Sequence, residues 1–498
     1  MTSGLLVAGT SSDAGKSLVV TGLCRALVRR GIDVVPYKAQ NMSNNSGVCA
    51  DGAEIGRAQL LQAQAARVEP TSAMNPVLLK PGTDRRAHVV VRGRPAGVLE
   101  AGQYATGRRH LAEAAWTAYA ELEAAHDLVV CEGAGSPAEI NLRAGDYVNL
   151  GLARRFGLPV VVVGDIDRGG VLAALYGTVA LLEPEDRALV RAFVVNKFRG
   201  DPGVLAPGLT EITRRTGVPV AGVLPWLDGV WLDAEDTLEV GAWRRSVRAA
   251  ADSDAEVLQV AVVRLPRVSN ATDVEALAAE PGVEVRVTTD PDVVAGADLA
   301  VLPGTRATSS DLAWLRRTGL ADAVLDRARR GAPVLGICGG YQLLGARVED
   351  PEGVEAEAPA GVEGLGLLPV VTRFERAKSL GRPSGTWQGH PVHAYEIHHG
   401  RASLLPGPAD VVGGVEPFLD GWRAGSTWGT VWHGALENDG FRRAWLAEVA
   451  VVAGSAWAPA PGAPAFGARR EAMVDALADA VEEHLDLDLL LAGTRVAA

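Results

Sequence analysis

Short runs of Val, Ile and Leu alternate along this chain with longer Ala- and Arg-rich stretches whose apolar residues recur at helical spacing. Leu5–Ala8, Val34–Tyr37, Leu128–Cys131, Val160–Gly164 and Phe193–Asn196 are strand-sized and almost wholly apolar, the pattern of strands covered on both faces. A helical stretch follows each. The rhythm predicts an α/β protein with a mostly parallel, doubly wound sheet. It runs to about Val223 and weakens across Leu227–Ala255. It then resumes with Val257–Val263, Val283–Val287, Leu299–Leu302 and Val334–Ile337. A first domain over 1–245, a linker over 246–256 and a second domain over 257–498 are therefore expected. Ala456–Gly467 is a Pro/Ala-rich loop. The amphipathic stretch over about Arg469–Leu490 is expected to form a last helix packed on the second domain.

Composition narrows the class. At roughly 100–200 residues per domain, 498 residues suggest two to four domains. A 48% hydrophobic content supplies ample core and excludes disorder as the main state. The apolar runs stop far short of the ~20 residues that span a bilayer, so no membrane segment is expected. A formal net charge of -12 speaks against a broad nucleic-acid surface. An acidic ligand would then need local cations. Cys24, Cys49, Cys131 and Cys338 form no CxxC pair, which argues against a zinc site or a disulfide scaffold. The chain starts directly into LLVAG with no signal-peptide pattern, so the cytoplasm is the expected compartment.

The strand LLVAG runs into Gly9-Thr10-Ser11-Ser12-Asp13-Ala14-Gly15-Lys16-Ser17 and then an amphipathic stretch. Glycines let the backbone curl so that its N–H groups face phosphate oxygens. Lys16 would reach the β- and γ-phosphates of ATP, and the Ser17 hydroxyl would ligate Mg²⁺. Five residues separate Gly9 from Gly15, one more than in the common motif. Two carboxylates are candidates to complete the metal site. Glu132 ends the apolar run DLVVC, where parallel sheets bind ligands. Asp51 precedes Gly52 and a helical stretch, and can equally serve as a capping acid there. Asn196 ends another apolar run, and its amide suits a purine edge; a polar turn is the plainer alternative.

The second half holds Gly336-Ile337-Cys338-Gly339-Gly340 at the end of an apolar run. Glycines around a nucleophile permit a sharp strand-to-helix turn that presents its side chain. Placing the thiol at a helix start favours its thiolate. The Gly339 N–H can help stabilise an oxyanion, with a second donor at Gly304 in the Leu302-Pro303-Gly304 turn. The thiol needs a base. Among nine histidines, His433 follows an apolar run and precedes a glycine turn; His398 and His399 compete with it.

These motifs are recognisable. Gly336–Gly340 with a downstream His433 resembles the class I glutamine amidotransferases, in which the cysteine attacks the glutamine amide and ammonia leaves. That family carries a Glu two residues after the histidine, where this chain has Ala435; Glu437 is not taken as a substitute. The third triad member is missing from its usual place, a loss shared by the branch acting on corrinoids. Gly9–Ser17 resembles the dethiobiotin synthetase-like ATP-binding fold. The blocks Lys38–Ser46, Glu54–Gln59, Asn75–Pro81, Gly164–Gly170, Leu302–Thr305 and Tyr395–Arg401 resemble the cobyric acid synthase family, in order and over nearly the whole chain. At the fifth, the family tends to carry Ser-Lys where this chain has Thr305-Arg306.

The resemblance implies four ATP- and glutamine-dependent amidations, of the b, d, e and g carboxylates of adenosylcobyrinic acid a,c-diamide, in cobalamin biosynthesis. Corrinoid and L-glutamine would be the small-molecule partners; the sequence carries no signal for oligomeric state. ATP turns a carboxylate into an acyl phosphate with a good leaving group, and glutamine hydrolysis delivers ammonia in its neutral, nucleophilic form. Lys38, Gln40, Asn41 and Asn45 are expected to face the substrate or the γ-phosphate, with Lys80, Arg85 and Arg168 as weaker candidates. An imidazole without its usual carboxylate predicts slow glutamine hydrolysis until the synthetase site fills. A cobyrinic acid a,c-diamide synthase is the near alternative. A P-loop switch protein with a decayed glutaminase domain is the distant one, disfavoured by the intact cysteine turn.

Overall fold

The computed structural model describes residues 2–83, 86–100, 109–230, 256–355, 360–405 and 414–496. The expected linker lies outside the described residues except for Glu256. The chain divides into two compact units. One comprises Met1–Ser43, Cys49–Asp233 and Arg470–Ala498; the other comprises Asn44–Val48 and Ala234–Arg469. Among the described residues no helix is long and apolar enough to cross a membrane.

The first unit is built on β1 (Gly4–Gly9), α1 (Lys16–Arg29), β2 (Val34–Tyr37), α2 (Arg57–Ala66), β3 (Leu128–Glu132), β4 (Val160–Asp165), β5 (Val190–Phe198) and β6 (Val220–Pro225). The strands form one sheet in the order β6-β5-β4-β1-β3-β2. Every pairing in it is parallel. Successive side chains on a strand point to opposite faces. On β1, Leu6 and Ala8 accordingly join one core and Leu5 and Val7 another. Burial on both faces is why these strands read as unbroken apolar runs. The register sets Glu132 beside Val7, Gly9 beside Val163 and Asn196 beside Asp165. The polar residues thus gather at the carboxyl ends of the strands.

The second unit holds β7 (Leu258–Val263), β8 (Val283–Thr288), β9 (Leu299–Leu302), β10 (Val334–Ile337), α3 (Gly339–Leu344), β11 (Val415–Phe418), β12 (Gly421–Ala424) and β13 (Thr427–Thr430). Its main sheet has the order β8-β7-β9-β10-β13-β12-β11. The first five strands run parallel and the last two close it antiparallel. Cys338 follows β10 and His433 follows its neighbour β13, so pairing of those two strands brings the expected nucleophile and base to one edge.

The helix expected over about Arg469–Leu490 departs from that reading: it ends at His484, and a short helix Leu487–Leu491 follows. α4 (Phe466–His484) belongs from Arg470 onward to the first unit. Its Met473, Val474, Ala478 and Val481 share a core with Leu23, Cys24 and Leu27 of α1. Arg25, 1% exposed, meets Asp475 Oδ1 at 2.7 Å and Glu471 Oε2 at 2.8 Å. A Cβ on Gly22 would lie 2.8 Å from Val481 Cγ2, so the small residue lets the two helices approach closely. Helical periodicity announces that one face is buried, but not which partner covers it.

Candidate active sites

In the first unit the loop after β1 is held from several sides. Gly15 takes φ 91°, a conformation open to glycine. A Cβ there would sit 2.0 Å from Asn196 Nδ2. The Asn196 amide donates to Ala14 O at 3.0 Å, so in this structure it braces the loop instead of standing open to a base. Lys197 Nζ donates to Asp13 O at 2.9 Å, and Arg168 pairs with the Asp13 carboxylate at 2.6 Å. Thr10 N donates to Val163 O at 2.9 Å, keeping the loop's first residue on the sheet. Lys16 Nζ donates to Ser11 O at 2.8 Å, Ser12 O at 3.0 Å and Gly135 O at 3.3 Å.

Glu132 is the electrostatic centre of this end of the sheet. Its Oε1 accepts from Ser17 Oγ at 2.7 Å and from Lys38 Nζ at 2.9 Å, and its Oε2 accepts from Gln62 Nε2 on α2 at 2.5 Å. Burial pushes this carboxyl up, but the Lys38 charge and the three hydrogen bonds outweigh it and hold the group below the ordinary carboxylate value. Ser17 and Glu132 are hard oxygen donors side by side, a pair that fits Mg²⁺ brought in with nucleotide phosphates. Asp51 does not join them. It is exposed, and its carboxylate accepts from Ala53 N at 3.0 Å in a turn.

The four expected substrate-binding residues part company. Lys38 is tied to Glu132. Gln40 accepts from Tyr147 Oη at 2.5 Å, and Asn41 donates to Gln59 at 3.0 Å. Asn45 belongs to the second unit, where its Oδ1 accepts from Ala271 N at 3.3 Å. Lys80 forms a buried pair with Glu54 at 2.5 Å, and Arg85 lies outside the described residues.

In the second unit Cys338 stands at φ 50° and ψ -109°, a strained conformation for a residue with a Cβ. Its N–H donates to Thr430 O at 2.8 Å and its carbonyl accepts from Gln342 N at 3.0 Å. The turn needs its glycines: a Cβ on Gly340 would lie 1.9 Å from Leu302 O. Gly304 borders the expected base, since a Cβ there would lie 3.2 Å from His433 Cε1. Gly339 abuts the adjoining Thr305, whose N would lie 2.7 Å from a Cβ on it. Of the two glycines expected at the oxyanion site, Gly339 thus lies against the residue that follows Gly304, and Gly304 lies against the imidazole. α3 is only six residues long, so its dipole adds little. Of the rival histidines, His398 is committed to Gly400 O and Glu396, and His399 Nδ1 lies 3.0 Å from Glu375 O.

His433 has a carboxylate after all. Its Nδ1 lies 2.6 Å from Asp273 Oδ2, and Asp273 Oδ1 accepts from Gly434 N at 2.8 Å. The Tyr395 ring stacks on the imidazole with centroids 5.3 Å apart. Burial pulls the imidazole down, but the Asp273 and Cys338 charges and hydrogen bonds prevail and push it up to about 10. With Nδ1 turned to Asp273, Nε2 is the nitrogen left for proton exchange with the thiol.

Residues 5–240 match the CobQ/CobB/MinD/ParA nucleotide binding domain, and residues 259–441 match the CobB/CobQ-like glutamine amidotransferase domain. A cobyric acid synthase of Cutibacterium acnes is 64% identical over 488 residues, 98% of this chain and 99% of the relative. This chain belongs to the cobyric acid synthase family. Cobyric acid synthases of Mycolicibacterium gilvum and Streptomyces coelicolor are 58% and 57% identical, each over 98% of this chain and 96% of the relative. The expected fold class, a nucleotide-binding α/β unit followed by a class I amidotransferase unit, holds.

Two residues of this cobyric acid synthase family member escaped sequence reasoning. Asp273 lies 160 residues before His433, and no local spacing links them. Its one signal is position, in the loop after β7 at the carboxyl edge of a parallel sheet. Gln62 reads as one of several glutamines on a helix; only folding aims it at Glu132.

Proposed function

We propose that this chain makes adenosylcobyric acid by amidating the b, d, e and g carboxylates of adenosylcobyrinic acid a,c-diamide, with one ATP and one glutamine consumed per amide. The observation that carries the reading is the Cys338–His433–Asp273 constellation in one unit of a chain whose other unit holds Lys16, Ser17 and Glu132 on a phosphate loop.

In the glutaminase half, Cys338 Sγ attacks the side-chain amide carbon of glutamine while His433 holds the thiol proton. Asp273 keeps the imidazolium oriented. The N–H groups of Gly339 and Gly304 face the developing oxyanion. Collapse of the tetrahedral adduct breaks the C–N bond, His433 returns a proton to nitrogen, and ammonia leaves. Water then cleaves the glutamyl thioester and regenerates the thiol.

In the synthetase half, the loop N–H groups and Lys16 hold the ATP phosphates in line with a substrate carboxylate. Mg²⁺ bound with ATP would neutralise phosphate charge beside Ser17 and Glu132. Lys38, beside the same carboxylate, adds a positive charge where the γ-phosphoryl moves. Ammonia displaces phosphate from the acyl phosphate and leaves an amide. A chemistry fed by ATP and glutamine fits the expected cytoplasmic setting.

Incubation with ATP, Mg²⁺ and glutamine, with mass analysis of the corrinoid, tests the reading. Four successive acid-to-amide mass steps from the a,c-diamide are expected. Conversion of cobyrinic acid at its a and c positions instead would point to the diamide synthase. In Cys338→Ser, high ammonium at alkaline pH should replace glutamine.

A further inference from the structure

The block Lys38–Ser46 is divided by the fold. Lys38–Ser43 lie in the first unit, Asn44–Val48 count with the second, and the chain resumes in the first at Cys49. Within the second unit this five-residue segment touches both supports of the glutaminase base. Ser46 N donates to Asn270 Oδ1 at 2.8 Å, and Ala271 N donates to Asn45 Oδ1 at 3.3 Å. Asn270 immediately precedes the turn Ala271–Val274 that carries Asp273, and its carbonyl accepts from Asp273 N at 3.1 Å. Val48 packs with Tyr395 and Ile397. Tyr395, besides stacking on His433, exchanges two backbone hydrogen bonds with it at 2.9 and 3.0 Å. The carboxylate at Nδ1 and the ring on the imidazole face are thus each fastened to the same piece of chain.

We propose that Asn270 is a positioning residue of the glutaminase, and that Asn44–Val48, gripped through it, makes the placement of His433 depend on the state of Lys38–Met42. This rests on reading the first unit as the synthetase. Lys38 shares Glu132 Oε1 with Ser17, so a metal held by Ser17 and Glu132 would redistribute those contacts. Gln40–Met42 is a strand paired with Val77–Leu79, an extended and stiff connection to the segment. A displacement of Lys38 would be passed along this connection to Asn45 and Ser46, seven and eight residues further on. A shift of about 1 Å in a catalytic group can cost ~10²-fold in rate, so a small displacement of the Asp273 turn suffices as a control. The arrangement gives a physical route to slow glutamine hydrolysis in the absence of ATP and corrinoid.

Asn270 has φ 51°, a left-handed conformation that Gly and Asp both tolerate better than most residues. Asn270→Gly keeps the turn and removes the acceptor for Ser46 N; Asn270→Asp keeps both. Glutamine hydrolysis is measured alone and with ATP, Mg²⁺ and the a,c-diamide, and ammonium-driven amidation is measured beside it. In Asn270→Gly, kcat for glutamine hydrolysis should fall about tenfold or more with KM within about twofold. Stimulation by ATP and corrinoid should vanish while ammonium-driven amidation persists. Asn270→Asp should behave as the parent. Unchanged kcat and stimulation in Asn270→Gly overturn the proposal, as does equal damage in both variants or a parallel loss of ammonium-driven amidation. If the parent amidates no corrinoid even with ammonium, the synthetase reading fails instead, and glutamine hydrolysis without corrinoid still decides the role of Asn270.

Discussion

His433 Nδ1 and Asp273 Oδ2 lie 2.6 Å apart, both groups buried, across 160 residues of chain. Class I amidotransferases carry a carboxylate two residues after the histidine; here the carboxylate at the imidazole comes from the turn Ala271–Val274. The imidazole is therefore oriented, by a residue whose own turn is anchored through Asn45 and Asn270.

Asp273→Asn tests that role. The amide can still accept from Gly434 N but cannot stabilise an imidazolium. Glutamine hydrolysis should fall on the order of 10²- to 10⁴-fold in kcat, while ammonium-driven amidation stays near the parent rate. Steady-state assays with each nitrogen source check it; equal losses in both would remove Asp273 from the glutaminase.

The pair also has a pH signature. The folded imidazole keeps its proton up to about 10, whereas an unfolded histidine releases it near ~6.5. The folded pKa is raised, so the stabilisation is complete below about 6.5 and fades as pH climbs through about 10. Urea midpoints of the parent and Asp273→Asn, taken over that range, should converge on the alkaline side. A gap that widens toward alkaline pH contradicts the assignment.

Glu132→Gln leaves the ammonium of Lys38, only 4% exposed, without its counter-charge. Removing one partner of a buried pair costs roughly 3–5 kcal/mol, and a lowered urea midpoint at unchanged slope is the expected result. In the parent the sign on acidification is opposite to that of His433. The Glu132 pKa is depressed, so its contribution is present above ~4.5 and is lost as pH falls through the folded value.

Gly15→Ala forces a Cβ to within 2.0 Å of Asn196 Nδ2 at a left-handed φ. Nucleotide binding, read by calorimetry, should drop at least tenfold while resting glutamine hydrolysis survives, because the change lies in the other unit. Parent-like nucleotide affinity would show that the loop tolerates other shapes.

Most of the architecture was legible because burial writes itself into local pattern. Strands covered on both faces must be apolar, and turns holding phosphate or a strained nucleophile must be glycine-rich. Gly9–Ser17 and Gly336–Gly340 therefore stood out, and the strand order then brought Ser17 to Glu132 and Cys338 to His433. The partners of those residues left no such trace. A helix over Phe466–His484 must bury one face, yet the stripe does not name α1 as its partner. Asn45 reads as part of the polar block with Lys38, yet folding hands it to the second unit and to the turn that holds Asp273. Aspartate in a loop looks alike whether it meets water or an imidazole. Local periodicity records what each residue must hide, whereas the pairing of distant side chains arises only when separate stretches of chain come to share one space.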